Sequence, residues 1–131
     1  SKVSIEKVKP TIVAFTSPQS YNQDHRIAAF AAHASCRPAL RRAKHFVETV
    51  VSYEEAVDQW TLENNVEVNL FVSLNKTEID AKVKSLKLYK SQLRPAPNLR
   101  SAQAMVTLAK LRGLQSGTNF AEAFVSYRNL I

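Results

Sequence analysis

Asn22-Gln23-Asp24-His25 is the densest group of chemically capable side chains in the chain, with Tyr21 and Arg26 on either side. A neutral imidazole such as His25 is a common zinc ligand. A carboxylate next to it, here Asp24, can fix a tautomer or orient another group. The Asn22 carboxamide can donate a hydrogen bond to a developing oxyanion. The same spacing also reads as Asp24 capping a helix, with His25 half-exposed on its first turn. His33 lies eight residues beyond His25, about 12 Å along a helix, too far to share one metal. It reads as a helix-surface residue, and His45 as a residue leading into a strand. Cys36 has no partnered base in the pattern and reads as a structural thiol. Neither a Gly-rich phosphate loop nor a serine nucleophile elbow is present; the two glycines are Gly113 and Gly117.

The elements that must carry these groups alternate. Thr11-Ile12-Val13-Ala14-Phe15 is a short apolar run ending in a polar stretch, the pattern of a buried strand followed by a loop. Residues 25–36 are alanine-rich and predict a helix with Ile27, Phe30, Ala31 and Ala34 on its inner face and Asp24 as N-cap. Arg37-Pro38 ends it. Residues 46–53 predict a second strand and Val66 to Val72 a third. Thr77 reads as the N-cap of an amphipathic helix that buries Ile79, Val83, Leu86, Tyr89 and Leu93 and exposes Lys82, Lys84, Lys87 and Lys90. Pro95 and Pro97 follow it. Ser101 to Gln115 predicts another helix, with Ala102, Met105, Val106 and Ala109 inward and a stop at Ser116-Gly117. Phe120 to Tyr127 is read either as a strand or as a last helical turn. This order predicts an α/β sandwich with a mainly parallel sheet, whose chemistry sits at the carboxyl ends of the strands.

The 131 residues, 45% apolar and 22% charged, fit a single globular domain over 1–131. The longest apolar runs are well short of a membrane helix, so no membrane partner is expected. One cysteine gives neither an internal disulfide nor a cysteine metal cluster, and a reducing, cytoplasmic setting is the expectation. The net charge of +7 is uneven: residues 1–65 hold 8 basic and 7 acidic side chains, residues 66–131 hold 10 and 4. Lys82 to Arg112 contains eight basic residues and no acidic one. Such a run attracts phosphates or acidic surfaces, or it is a pair of solvated helix faces. Without interleaved exposed aromatics, nucleic acid ranks last among the partners.

Several segments together resemble the second half of the LmbE-like (PIG-L) zinc-dependent deacetylases. They are Ser17-Pro18, Asn22-Gln23-Asp24-His25-Arg26, the helix ending Ala34-Ser35-Cys36-Arg37-Pro38, Tyr53-Glu54 with Trp60, and Phe71-Val72 leading to Tyr89-Lys90-Ser91-Gln92. The most specific is Arg112-Gly113-Leu114-Gln115-Ser116-Gly117-Thr118-Asn119-Phe120-Ala121-Glu122-Ala123-Phe124, which is similar to the family's Arg-Gly-X-Gln-X-Gly-X-X-Tyr-Ala-Glu-Ala-Phe signature. The resemblance runs over roughly residues 8–131. It implies a Rossmann-like three-layer sandwich and hydrolysis of an N-acetyl group on a sugar or sugar-like substrate. By the resemblance His25 is a zinc ligand, Asp24 its neighbour, and Asn22 stands where many members place an oxyanion-stabilising histidine.

The family's early His-Pro-Asp-Asp segment, which supplies its other zinc ligands and its base, has no counterpart: neither a His-Pro nor an Asp-Asp pair occurs. The domain is therefore expected to be incomplete relative to the family. It is a fragment, one of two assembling pieces, or a non-catalytic remnant acting as an interaction module. An open sheet edge and exposed apolar surface would follow, with a homo-oligomer or a partner chain to cover them.

Overall fold

The computed structural model describes residues 3–62 and 67–131. Val66, the expected start of the third strand, lies outside them. In chain order the elements are α1 (Ile5–Val8), β1 (Ile12–Phe15), α2 (Gln23–Ser35), β2 (Thr49–Tyr53), a 3₁₀ turn (Ala56–Gln59), β3 (Leu70–Leu74), α3 (Lys76–Leu86), α4 (Ala102–Ser116) and β4 (Phe120–Asn129). The closing segment is thus a strand, and the longest one. No described helix is long and apolar enough to cross a membrane.

The strands form one sheet in the order β1-β2-β4-β3. β1 pairs with β2 in parallel, while β4 lies antiparallel to both β2 and β3. The fold is α/β, but the mainly parallel sheet expected from the alternation does not hold for this chain. The reason is in the connections. One helix between two strands returns the chain to its starting end and gives parallel strands. Two successive helices, α3 and α4, reverse it once more, so β4 enters the sheet opposite to β3. Because β4 inserts between β2 and β3, one reversed strand makes two of the three pairings antiparallel.

Pleat alternation along this register puts Val13, Phe15, Val50, Ser52 and Tyr127 on one face. Phe15 stacks on Tyr127 at 5.5 Å, and the Ser52 hydroxyl lies 3.3 Å from the Tyr127 hydroxyl. Phe15, Val47 and Val50 pack with Ala29 and Cys36 of the α2 segment into a core. Cys36 is buried there, and burial pushes its thiol pKa up, as a structural cysteine requires. His33 exposes much of its surface but sets its ring edge-on to Tyr127.

α2 does not present its expected face. Ala29 is buried, whereas Ile27 is 60% and Phe30 66% exposed. In a helix so rich in alanine the apolar residues wrap the cylinder, and spacing does not choose a side. The small Ala29 lets the backbone come close to β1. The caps differ too. The Asn22 side chain, not Asp24, caps α2 by accepting from the Asp24 backbone N–H at 2.9 Å. Asn75, not Thr77, caps α3 in a box with Glu78. α4 behaves as expected, with Ala109 buried and its end at Gly117, whose φ of +74° is left-handed and favours glycine.

α4 packs along β4. Gly113 makes the turn between them possible. A Cβ there would stand 2.7 Å from the backbone of Thr118 and Asn119. Gly113→Ala is expected to force that turn away and to cost about 1–3 kcal/mol, as overpacking does. Urea unfolding of the variant against the parent measures it; an unchanged midpoint would contradict the close approach.

Candidate functional site

The carboxyl end of β2, the start of α2, the start of β4 and helices α3 and α4 surround a cleft of about 780 Å³. Tyr21, Asn22, His25, Glu55, Lys82 and Arg100 are among the residues that line it. The cleft is where an α/β sheet is expected to place a ligand, at a strand's carboxyl end.

Glu54 and Glu55 follow β2 directly, and successive residues of an extended chain point to opposite sides. Glu54 faces α4. Its carboxylate takes a two-pronged ion pair from Arg112, Nε to Oε1 at 2.5 Å and Nη2 to Oε2 at 2.7 Å. Both side chains are nearly closed off, 4% and 9% exposed. Gln59 adds a hydrogen bond to Glu54 Oε2, and Gln115 accepts from Arg112 Nη1 at 2.8 Å. The planar guanidinium fork suits this geometry, which an ammonium group would not reproduce.

Glu55 turns the other way, toward His25. Its Oε1 is 4.0 Å from His25 Nδ1, too long for a hydrogen bond. Burial, and secondly the charge of Asp58, push the Glu55 carboxyl above the usual carboxylate range; His25, Arg100 and Lys82 pull against that shift. Asp58 itself is buried and accepts from the Glu55 backbone N–H through Oδ2. Lys82, in the same lining, is ion-paired to Glu122.

His25 stands on the first turn of α2, held by Thr16 Oγ1 donating to its carbonyl at 2.8 Å. Its Nδ1 is buried and has no hydrogen-bond partner among the described residues. Asn22 lines the cleft; its Oδ1 is taken by the cap, which leaves its amide N–H groups for another acceptor. Asp24 is exposed on the first turn of α2 and is absent from the cleft wall. Among the described residues no three His, Cys, Asp or Glu side chains converge as a metal would require. Sequence reasoning brought Asn22 and His25 to one place. It passed over Glu55, Lys82 and Arg100 as site residues. The adjacent carboxylates at a strand's end were the one signal that could have found Glu55.

Two outcomes follow from this geometry. Arg112→Met leaves a buried carboxylate unpaired and is expected to cost about 3–5 kcal/mol, while Glu54→Leu with Arg112→Met costs far less. Urea unfolding of the single and double variants checks this, and equal losses would contradict it. For Glu55 the folded pKa is raised, so the folded state holds the proton more tightly than the unfolded one. Stability therefore falls as pH rises from the ordinary glutamate value through the raised one. Glu55→Gln does not titrate. It is expected to gain on the parent across that window and to lose the advantage below it. The effect is modest, because Glu55 is 39% exposed and solvent screens it. A pH series of melting temperatures reads it.

No protein-family model matches the chain, and no curated protein sequence is similar to it. Its structure is similar to the crystal structure of the conserved protein TT1542 from Thermus thermophilus, with a TM-score of 0.74 at 21% sequence identity. The match covers 97% of this chain and 56% of that one. The two share a fold, and this chain spans little more than half the length of the other.

Proposed function

We propose that residues 1–131 form one half of an N-deacetylase site of the LmbE-like (PIG-L) kind, with the cleft receiving an N-acyl sugar and His25 serving as one zinc ligand. The observation that carries this reading is the buried Nδ1 of His25, which has no hydrogen-bond partner among the described residues. A buried polar atom left unmatched costs stability, and in native proteins it marks a missing partner or a functional task. The Glu55 carboxylate stands on the side of that same nitrogen, 4.0 Å away. Asn22 offers amide N–H groups at the cleft wall for a substrate carbonyl. Asp24 acts from outside the cleft: its charge favours the positive end of α2 and so steadies the turn that carries His25.

The donor set of this chain by itself does not fit a zinc centre. A catalytic zinc takes three protein ligands, and no such group is found among the described residues. On this reading the other ligands and the base come from a second segment of chain seated beside α2. The sheet would then continue past β1, its edge strand, toward the Rossmann-like sandwich the resemblance implies. The exposed Ile27 and Phe30 are consistent with such a seat. A second reading, a non-catalytic interaction module, is favoured by the same one-histidine donor set.

Zinc content separates the two. Supplied with a segment carrying His-Pro-Asp-Asp, the chain is expected to hold about one zinc per complex, and His25→Ala to lose it. Equal zinc in the parent and His25→Ala would overturn the ligand assignment. A complex that forms without binding zinc would favour the interaction module.

A further inference from the structure

Next to the main cleft lies a smaller hollow of about 380 Å³, lined by Tyr21, Trp60, Arg94 and Arg100 among others. Tyr21 and Arg100 line both spaces, so the two are continuous.

The charges in this hollow are unbalanced in a specific way. Of the basic run, Lys82 is paired with Glu122 and Arg112 with Glu54. Arg94 and Arg100 have no carboxylate within 4.0 Å among the described residues, and Arg100 acts on Glu55 only from beyond that distance. Both guanidinium groups are nevertheless held in place, by neutral acceptors. Arg100 donates to the Tyr21 hydroxyl at 2.5 Å and to Gln92 Oε1 at 3.4 Å. Arg94 donates to the carbonyls of Ser91 and Leu93 at 2.9 and 3.0 Å. A backbone bond from Arg94 N–H to the Arg100 carbonyl closes the loop between them. Neutral partners orient a guanidinium without cancelling its charge, and each leaves further N–H groups unused. Two like charges at one hollow repel unless an anion joins them. Trp60, 74% exposed, adds an open aromatic face to the same hollow.

We propose that this hollow is a subsite for the phosphate of a small phosphorylated ligand, gripped by Arg94 and Arg100, with an adjoining sugar ring laid against Trp60. Guanidinium forks match phosphate oxygens, and an exposed indole offers an apolar face with a polar tip. That this ligand is the same N-acyl sugar whose acyl end reaches His25 rests on the deacetylase reading. The phosphate site itself does not.

Trp60 is the only tryptophan, so its fluorescence reports on this hollow alone. Titration at constant ionic strength with N-acetylglucosamine 1-phosphate, N-acetylglucosamine and inorganic phosphate tests the site. The sugar phosphate is expected to bind at least about tenfold more tightly than the neutral sugar. Arg100→Gln is expected to lose about tenfold, whereas Lys87→Gln, an exposed lysine of the same basic run, leaves binding unchanged. Equal affinity for charged and neutral sugar would overturn the proposal, as would equal losses in the two variants. Inorganic phosphate binding as tightly as the sugar phosphate would overturn the role of Trp60. Should Arg100→Gln melt early, Arg94→Gln carries the test. Sugar-phosphate binding by the parent, together with no zinc in its complex with the His-Pro-Asp-Asp segment, would sink the deacetylase reading and leave the phosphate site standing.

Discussion

The fold depends on a charge pair that is expensive to bury. Glu54 and Arg112 lose most of their hydration, and that loss is offset only because the fork geometry is good and Gln59 and Gln115 satisfy further polar atoms. The pair joins the carboxyl end of β2 to α4 across 58 residues of chain. It also sets what lies beside it. Gly113, the next residue after Arg112, brings the helix against the backbone of the turn into β4. Gly117 then releases the helix in a left-handed conformation, and β4 enters the middle of the sheet. The Arg-Gly-X-Gln-X-Gly pattern therefore has a physical account at each fixed position: a buried cation, a contact that excludes Cβ, a brace for the cation and a left-handed cap.

With Glu54 committed to α4, the pleat turns Glu55 toward His25, and the electrostatics there follow. Burial and Asp58 work against the ionised form of Glu55, while His25, Arg100 and Lys82 favour it. The cleft lining thus carries both signs of charge rather than one dominant sign. Such a lining suits a polar ligand better than a wholly apolar one.

Much of the chain's organisation is legible in its residues. The order from β1 through α2, β2, β3 and α3 to α4, the stop of α4 at Gly117 and the inward Ala109 follow from periodicity and cap chemistry, whereas α1 is not expected from them and the closing segment reads either as a strand or as a helical turn. Three further features do not follow. Direction in the sheet depends on how many helices lie between strands, and counting α3 and α4 as two reversals is what turns a parallel expectation into a mixed sheet. Capping among Asn22, Asp24, Asn75 and Thr77 is decided by where each side chain reaches, since all four residue types serve. Arg100 is one of eight basic residues in a run, and nothing in its spacing sets it apart from a solvated lysine. Only the approach of Tyr21, 79 positions away, gives it a place.

α2 links the cleft to the surface. Its first turn carries His25, and Ile27 and Phe30 stand exposed two and five residues later. Five residues of helix rise about 7.5 Å. Any segment that buries those two side chains therefore passes within about one and a half turns of the imidazole whose Nδ1 is unmatched. Around the helix, however, the two apolar side chains lie about 200° and 140° from His25 at 3.6 residues per turn, so they mark the side of α2 away from the cleft. Packing on the outside of α2 and the chemistry proposed at its N-terminal end therefore use opposite sides of one short helix.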